Sequence, residues 1–295
     1  MAKIIAFTSV RRSPDIIKIL LKSLSEIDTK GFEIEFWFYD DNDDMESSRV
    51  LKEHINGDPD KNKLLPILDE KTEEFVQSED THFWNSALVD RIIRIKNYAI
   101  REFLKTNSDA IYFFDSDIIV HPKMLAHLLE LKHEIICEIF WTKFSKKEEY
   151  KPNVWDIQTC TYRSADSIIR LRYPGVYKVG GGGACLLIWR EPLEKGLNYS
   201  RIDNVDFWGE DRHFSVRAEC LGYNLFVDTL YPAFHIYRPS LVPDCLSWIE
   251  QGYPRSYFDQ WLNDAWEQTV RGRFFSKGLT LKDRLRMAVK ILLKP

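Results

Sequence analysis

The chain of 295 residues fits one large α/β domain or two small ones. Hydrophobic residues make up 44% of it and charged residues 29%, enough apolar side chain for a real core. A formal net charge of −4 excludes a global nucleic-acid footprint, so no nucleic-acid partner is expected.

Residues 3–8 form a short apolar run that reads as a buried strand. Ser13, Pro14 and Asp15 then open a helix: serine can cap, proline suits the first helical position, and aspartate complements the dipole. Ile16, Ile17, Leu20, Leu21 and Leu24 give that helix one apolar face. Residues 33–39 alternate and end in Asp40 and Asp41, completing a strand–helix–strand unit of a parallel sheet. The acids that follow read as a loop, and residues 64–68 as a third strand. Leu88, Ile92, Ile95, Ala99 and Phe103 mark one stripe of a longer helix. Residues 110–114 are a buried strand that stops at Asp115, Ser116 and Asp117, with another helix expected from Pro122. Further strands are expected at 135–140, 185–189 and 224–228, with a helix over 212–221 closed by Gly222. Residues 143–180 are polar and irregular, and helical patterns dominate beyond residue 240. The expected organisation is a first domain over 1–240 and a helical extension over 241–295.

Five cysteines, odd in number and without a C-x-x-C pair, suggest neither a disulfide framework nor a thiolate zinc site. The first apolar run is too short for a signal peptide, and no stretch approaches the ~18–20 apolar residues of a spanning helix. A cytoplasmic location is expected. Residues 271–295 carry eight Lys or Arg against the single acid Asp283. Leu281, Leu285, Ala288, Val289 and Leu292 share one helical face there, apart from Lys282, Arg286 and Lys290. Such a helix can lie on an anionic lipid surface, giving weak peripheral contact with the inner membrane face, or dock on its own domain or a partner.

Residues 110–122 carry the sharpest chemical signal. Two carboxylates one residue apart close a buried strand, and in open α/β sheets ligands bind outside those strand ends. Mg²⁺ or Mn²⁺ uses one or two carboxylates together with substrate phosphates, which Asp115 and Asp117 can supply. Unpaired charge beside apolar strand is costly unless something binds it. Trp208, Gly209, Glu210 and Asp211 precede a helix, and an acid there beside an apolar platform can act as a general base. His235 lies among apolar residues and can serve as a third metal ligand as neutral imidazole. Gly180–Gly183 is neither a P-loop nor a dinucleotide fingerprint; four glycines let backbone approach a ligand closely or a loop move.

The order of these features resembles the GT-A-fold glycosyltransferases of the family-2 type and their neighbours, over roughly residues 3–240. The resemblance implies a Rossmann-like, mostly parallel central sheet flanked by helices. It also implies a metal-dependent transfer of sugar from a nucleotide-diphosphate donor, with inversion. Thr8, Ser9 and Asp40 would contact the nucleoside. Lys96 and Asn97 fall near the helix position where such enzymes often carry Arg-Asn. Asp115 and Asp117 would serve the diphosphate through Mn²⁺ or Mg²⁺, with Asp117 ahead of Asp115 as direct ligand, and His235 would complete the metal site. Asp211 would be the catalytic base, supported by Glu210. Gly181, Gly182, Gly183 and Trp208 would border the donor sugar or acceptor. The donor is expected to be a UDP-sugar ahead of a GDP-sugar, and the acceptor a glycan, lipid-linked sugar, peptide or small molecule. The alternatives are a sugar-nucleotide pyrophosphorylase, which lacks here its glycine-rich loop after the first strand, and a non-catalytic carbohydrate-binding module.

Overall fold

The computed structural model describes residues 1–69, 84–144, 150–155, 170–205 and 209–259, with isolated positions at 280–282, 285 and 289. Its first half runs β1 (Ala2–Val10), α1 (Pro14–Ser25), β2 (Phe32–Asp40), α2 (Met45–Gly57), β3 (Asn62–Leu64), α3 (Ser86–Leu104), β4 (Ala110–Phe113), β5 (Ile118–Ile119) and α4 (Met124–Leu131). Then come β6 (Ile135–Glu138), β7 (Trp141–Thr142), β8 (Lys151–Pro152), β9 (Val154–Trp155), β10 (Val176–Val179), β11 (Gly181–Gly182) and β12 (Leu186–Trp189). The remainder is α5 (Arg190–Glu194), α6 (Glu210–Cys220), β13 (Leu225–Asp228), β14 (Phe234–His235) and α7 (Val242–Glu250).

Eight strands make the central sheet, in the order β10-β13-β6-β12-β4-β1-β2-β3. Four of its seven pairings are parallel. The antiparallel ones are those of β12 with β4 and β6, and of β10 with β13. Successive strand residues point to opposite faces, and both faces are buried. Ile4 and Ala6 of β1 join a cluster with Leu20 of α1, Leu51 of α2, Leu125 of α4 and Trp248 of α7. Ile5 and Phe7 join a second cluster with Ile95 of α3, Leu193 of α5 and Phe214 of α6. The sheet is thus the middle layer of three, as expected for a mostly parallel α/β fold flanked by helices. Each fully buried Leu or Phe in these clusters contributes roughly 1.5–3 kcal/mol through removal from water. The described part of the segment beyond residue 240 also packs here, with Cys245, Trp248, Ile249 and Phe258 buried in the first cluster.

Several local expectations are corrected. Ser13 precedes α1 but its hydroxyl makes no capping bond; Pro14 and the first-turn Asp15 open the helix instead. The third strand lies at Asn62–Leu64, not 64–68. The acids after β2 do form a loop, but two of them have structural roles: Asp44 caps α2 by accepting from the Ser47 amide at 2.8 Å, and Asp41 is buried. Residues 143–180 include short strands at 151–152, 154–155 and 176–179. Among the described residues, no helix is long and apolar enough to cross a membrane.

The topology brings distant segments to one edge. β1, β2, β4, β6 and β13 run the same way, so their carboxyl ends share that edge, and the antiparallel β12 starts there. Arg11 and Arg12, Asp41, Asp115 to Asp117, Phe140 to Thr142, and Gly183 with Ala184 therefore meet. This is the crevice where ligands bind in open α/β sheets.

Candidate active site

A cavity of about 360 Å³ opens at that edge. Its wall includes Ser9, Arg12, Asp41, Asp115, Asp117, Gly183, Glu210, Asp211 and His235. Asp117 is buried and sits between two side-chain nitrogens. Arg12 Nη2 donates to its Oδ2 at 2.5 Å, and His235 Nε2 is 3.4 Å from the same oxygen. His235 is pinned there by backbone pairing: β14 runs against β5, and the Ile236 amide donates to the Asp117 carbonyl at 2.9 Å. Thr142 Oγ1 meets His235 Nδ1 at 2.6 Å, so the ring is oriented from behind and Nε2 faces Asp117. Asp115 is open to the cavity it lines, yet the surrounding protein raises its carboxyl above the ordinary value. Desolvation leads, Lys96 pulls the other way, and the Asp117 charge adds to the rise.

Asp211 and Glu210 stand in the first turn of α6, where acids complement the dipole. Gly209 starts that helix at φ +113, a conformation that strains any residue with a Cβ. Lys96 of α3 is buried beneath the two acids. Its Nζ donates to Glu210 Oε1 at 2.6 Å and to Asp211 Oδ1 at 3.4 Å, and it lies 4.9 Å over the Tyr199 ring. Burial opposes the lysine charge, but the Asp211, Glu210 and Asp115 carboxylates outweigh it and hold the ammonium well above its usual range. Desolvation pushes the Asp211 carboxyl up to about 8 against the pull of Lys96, with Glu210 and Asp115 adding to the rise. A carboxyl in that range can both accept and release a proton near neutrality.

The glycine tract is a packing device. A Cβ on Gly183 would sit 2.1 Å from Asp211 Oδ2, and one on Gly181 would sit 2.1 Å from the Trp155 ring. Gly182 is closed in by Val154 and Cys137, at 2.9 and 3.0 Å from where its Cβ would be. Gly183 lines the cavity, whereas Gly181 and Gly182 are buried in the β9–β11 pair behind it. Asn153 ties this wall together: its Nδ2 donates to the carbonyls of Glu138 and Gly183 at 2.9 and 3.1 Å.

The expected nucleoside contacts divide. Ser9 lines the cavity, while Thr8 is fully buried, its hydroxyl bonded to the Ser9 carbonyl at 3.3 Å. Asp40 faces α2, accepting from Ser48 Oγ at 3.0 Å and Asn42 Nδ2 at 2.9 Å; its neighbour Asp41 reaches the cavity. Arg91 donates to Asp41 Oδ1 through Nη2 at 2.7 Å and to Asp69 through Nη1 at 3.0 Å. Lys96 is turned to the acids of α6. Asn97 bonds the Tyr199 amide and Ser200 hydroxyl at 2.8 and 3.1 Å. Trp208 lies outside the described residues.

No family model and no curated protein matches this chain. Among solved structures it is similar to the crystal structure of S. aureus TarS 1–349 in complex with UDP, at 13% identity and a TM-score of 0.48. That match covers 97% of this chain and 78% of the other. At that level the likeness carries no conclusion about chemistry.

Sequence reasoning missed Arg12, Asp41, Arg91, Thr142, Asn153 and Trp155. Arg12 follows a buried strand, and Arg91 sits on α3 among apolar neighbours, where an unpaired guanidinium is costly; both were readable as ionic partners for buried acids. Thr142, Asn153 and Trp155 had no signal, because only tertiary pairing brings them to the wall.

Proposed function

We propose that the chain is a glycosyltransferase that moves a sugar from a nucleoside-diphosphate donor to an acceptor hydroxyl. One observation carries the reading: Asp117 with His235, and Asp211 with the buried Lys96 behind it, bring both acids to one cavity at the carboxyl ends of the parallel strands. The first pair suits a diphosphate end and the second a proton-accepting end.

Two of the three expected metal ligands converge, since Asp117 Oδ2 and His235 Nε2 face each other. Asp115 is not grouped with them: among the described residues no set of three His, Cys, Asp or Glu side chains forms a ready metal site. A hard cation that takes one or two protein ligands plus substrate phosphates still fits this donor set. Asp117 and His235 would hold Mn²⁺ or Mg²⁺, which when bound neutralises charge on a departing diphosphate. Arg12 already occupies Asp117 Oδ2 and would turn to the phosphates as they arrive.

In the transfer the acceptor oxygen bonds to the anomeric carbon, and the bond from that carbon to the diphosphate breaks. The electron pair leaves with the nucleoside diphosphate. The hydroxyl proton passes to Asp211, which Lys96 holds from one side and which has its other oxygen against Gly183. A base on the face opposite the diphosphate corresponds to inversion. A UDP-sugar is the donor we favour, following the resemblance of the motifs.

Release of UDP from a panel of UDP-sugars, with water as acceptor, tests the reading. Asp211→Asn should bind UDP within about twofold of wild type while hydrolysis falls by about 10²-fold or more. Wild-type hydrolysis rates in that variant, or no turnover of any donor by the parent protein, would overturn it.

The tail supports a second, separate contact. Leu281, Leu285 and Val289 are exposed at four-residue spacing, in a segment rich in Lys and Arg. We propose weak attachment of residues 271–295 to anionic membrane. Flotation with vesicles containing phosphatidylserine should fall when those residues are removed; equal recovery would refute it.

A further inference from the structure

Arg212 follows Asp211 in α6 and lines the same cavity. It is half-buried, and its Nε is sealed from solvent without a hydrogen-bond partner. The acids beside it in sequence do not pair with it, because Glu210 and Asp211 turn to Lys96. The other arginines of the wall are each held by carboxylates: Arg11 by Asp43, Arg12 by Asp117, and Arg91 by Asp41 and Asp69. Among the described residues, no hydrogen bond or ion pair engages the Arg212 side chain.

A guanidinium offers five donors in a planar fork that matches phosphate or carboxylate. Leaving one of its buried donors unmet is unfavourable, and a site that keeps such a group beside its base is shaped for an anion. The anion has two conceivable sources, the donor diphosphate and the acceptor. In the proposed reading Arg12, Asp117 and His235 serve the diphosphate end. Arg212 is instead one residue from the group that takes the acceptor proton.

We propose that Arg212 binds an oxyanion of the acceptor, so that the acceptor is a phosphate- or carboxylate-bearing molecule whose charged group lies close to the hydroxyl that is glycosylated. Choosing the acceptor as the source rests on the glycosyltransferase reading. The charge of Arg212 then selects for acidic acceptors and sets the hydroxyl against Asp211.

The test uses full-length wild type, Arg212→Gln and Arg212→Lys. Calorimetry with UDP and Mn²⁺ comes first, followed by titration of inorganic phosphate, glycerol 3-phosphate and glycerol into the UDP-loaded proteins. Wild type should bind both phosphates in preference to glycerol. Arg212→Gln should weaken that binding about tenfold or more, and Arg212→Lys should restore part of it. UDP affinity should stay within about twofold in all three proteins. Unchanged phosphate binding in Arg212→Gln would overturn the proposal. So would a matching loss of UDP affinity, which would assign Arg212 to the donor diphosphate. A wild type that binds no UDP would refute the glycosyltransferase reading; phosphate titration of the free proteins would then still show whether Arg212 holds an anion.

Discussion

At Asp211 one carboxylate is gripped from two sides. Lys96 meets Oδ1, and the absent side chain of Gly183 leaves the space that Oδ2 occupies. A methyl group there would stand 2.1 Å from Oδ2, far inside contact distance. Gly183→Ala should therefore displace the carboxylate and lower donor turnover by about 10²-fold, the scale of a 1 Å misplacement. Circular dichroism and thermal melting should show the fold retained. Turnover at the wild-type rate would mean that the carboxylate position is not tied to the reaction. The glycines were legible as a site of close approach, and the groups that fill the Cβ positions of Gly183 and Gly181 are the protein's own Asp211 and Trp155. Sequence holds no record of which side chain fills the space beside a glycine.

At the level of strands and helices, legibility followed periodicity. β1, β2, β4 and the stripes of α1 and α3 repeat their pattern long enough to be read, because burial on one or both faces demands it. β5, β7, β9, β11 and β14 are two residues each, too short to carry a period, yet they pin His235, Thr142, Trp155 and Gly183. His235, Thr142, Trp155 and Gly183 all belong to the cavity wall, so part of that wall depends on such pairings. The β6–β13 pair carries a consequence of its own. Glu138 and Asp228 lie in register there, and Glu138 is fully buried with Tyr112 Oη donating to it at 3.3 Å. Desolvation raises Glu138 well above the ordinary glutamate range; the Tyr112 bond opposes this and the Asp228 charge reinforces it. A raised carboxyl contributes stability that is complete below the unfolded value and is lost as pH climbs towards the folded one. Glu138→Gln mimics the neutral form, so it should stabilise the protein at pH 7–8 by roughly 1–3 kcal/mol and flatten the decline of melting temperature with pH. A variant melting lower than wild type across that range would contradict this account.

For the whole molecule, the α/β class and parallel sheet were readable from alternating strand and helix patterns, and the resemblance of the motifs suggested the enzyme class. What one chain could not disclose was the meeting of ends: Arg12 with Asp117 across 105 positions, and Lys96 with Glu210 across 114. The sheet order makes those meetings, and with them a cavity whose two ends differ in chemistry. In the proposed function, the Asp117 end of this cavity holds a nucleoside diphosphate. Calorimetric titration of UDP into wild type and Asp117→Asn, each with Mn²⁺ and with chelator, tests it most directly. UDP should bind only with Mn²⁺ present, and about tenfold or more weakly in the variant. Equal UDP binding in all four titrations, or none in any, would contradict it.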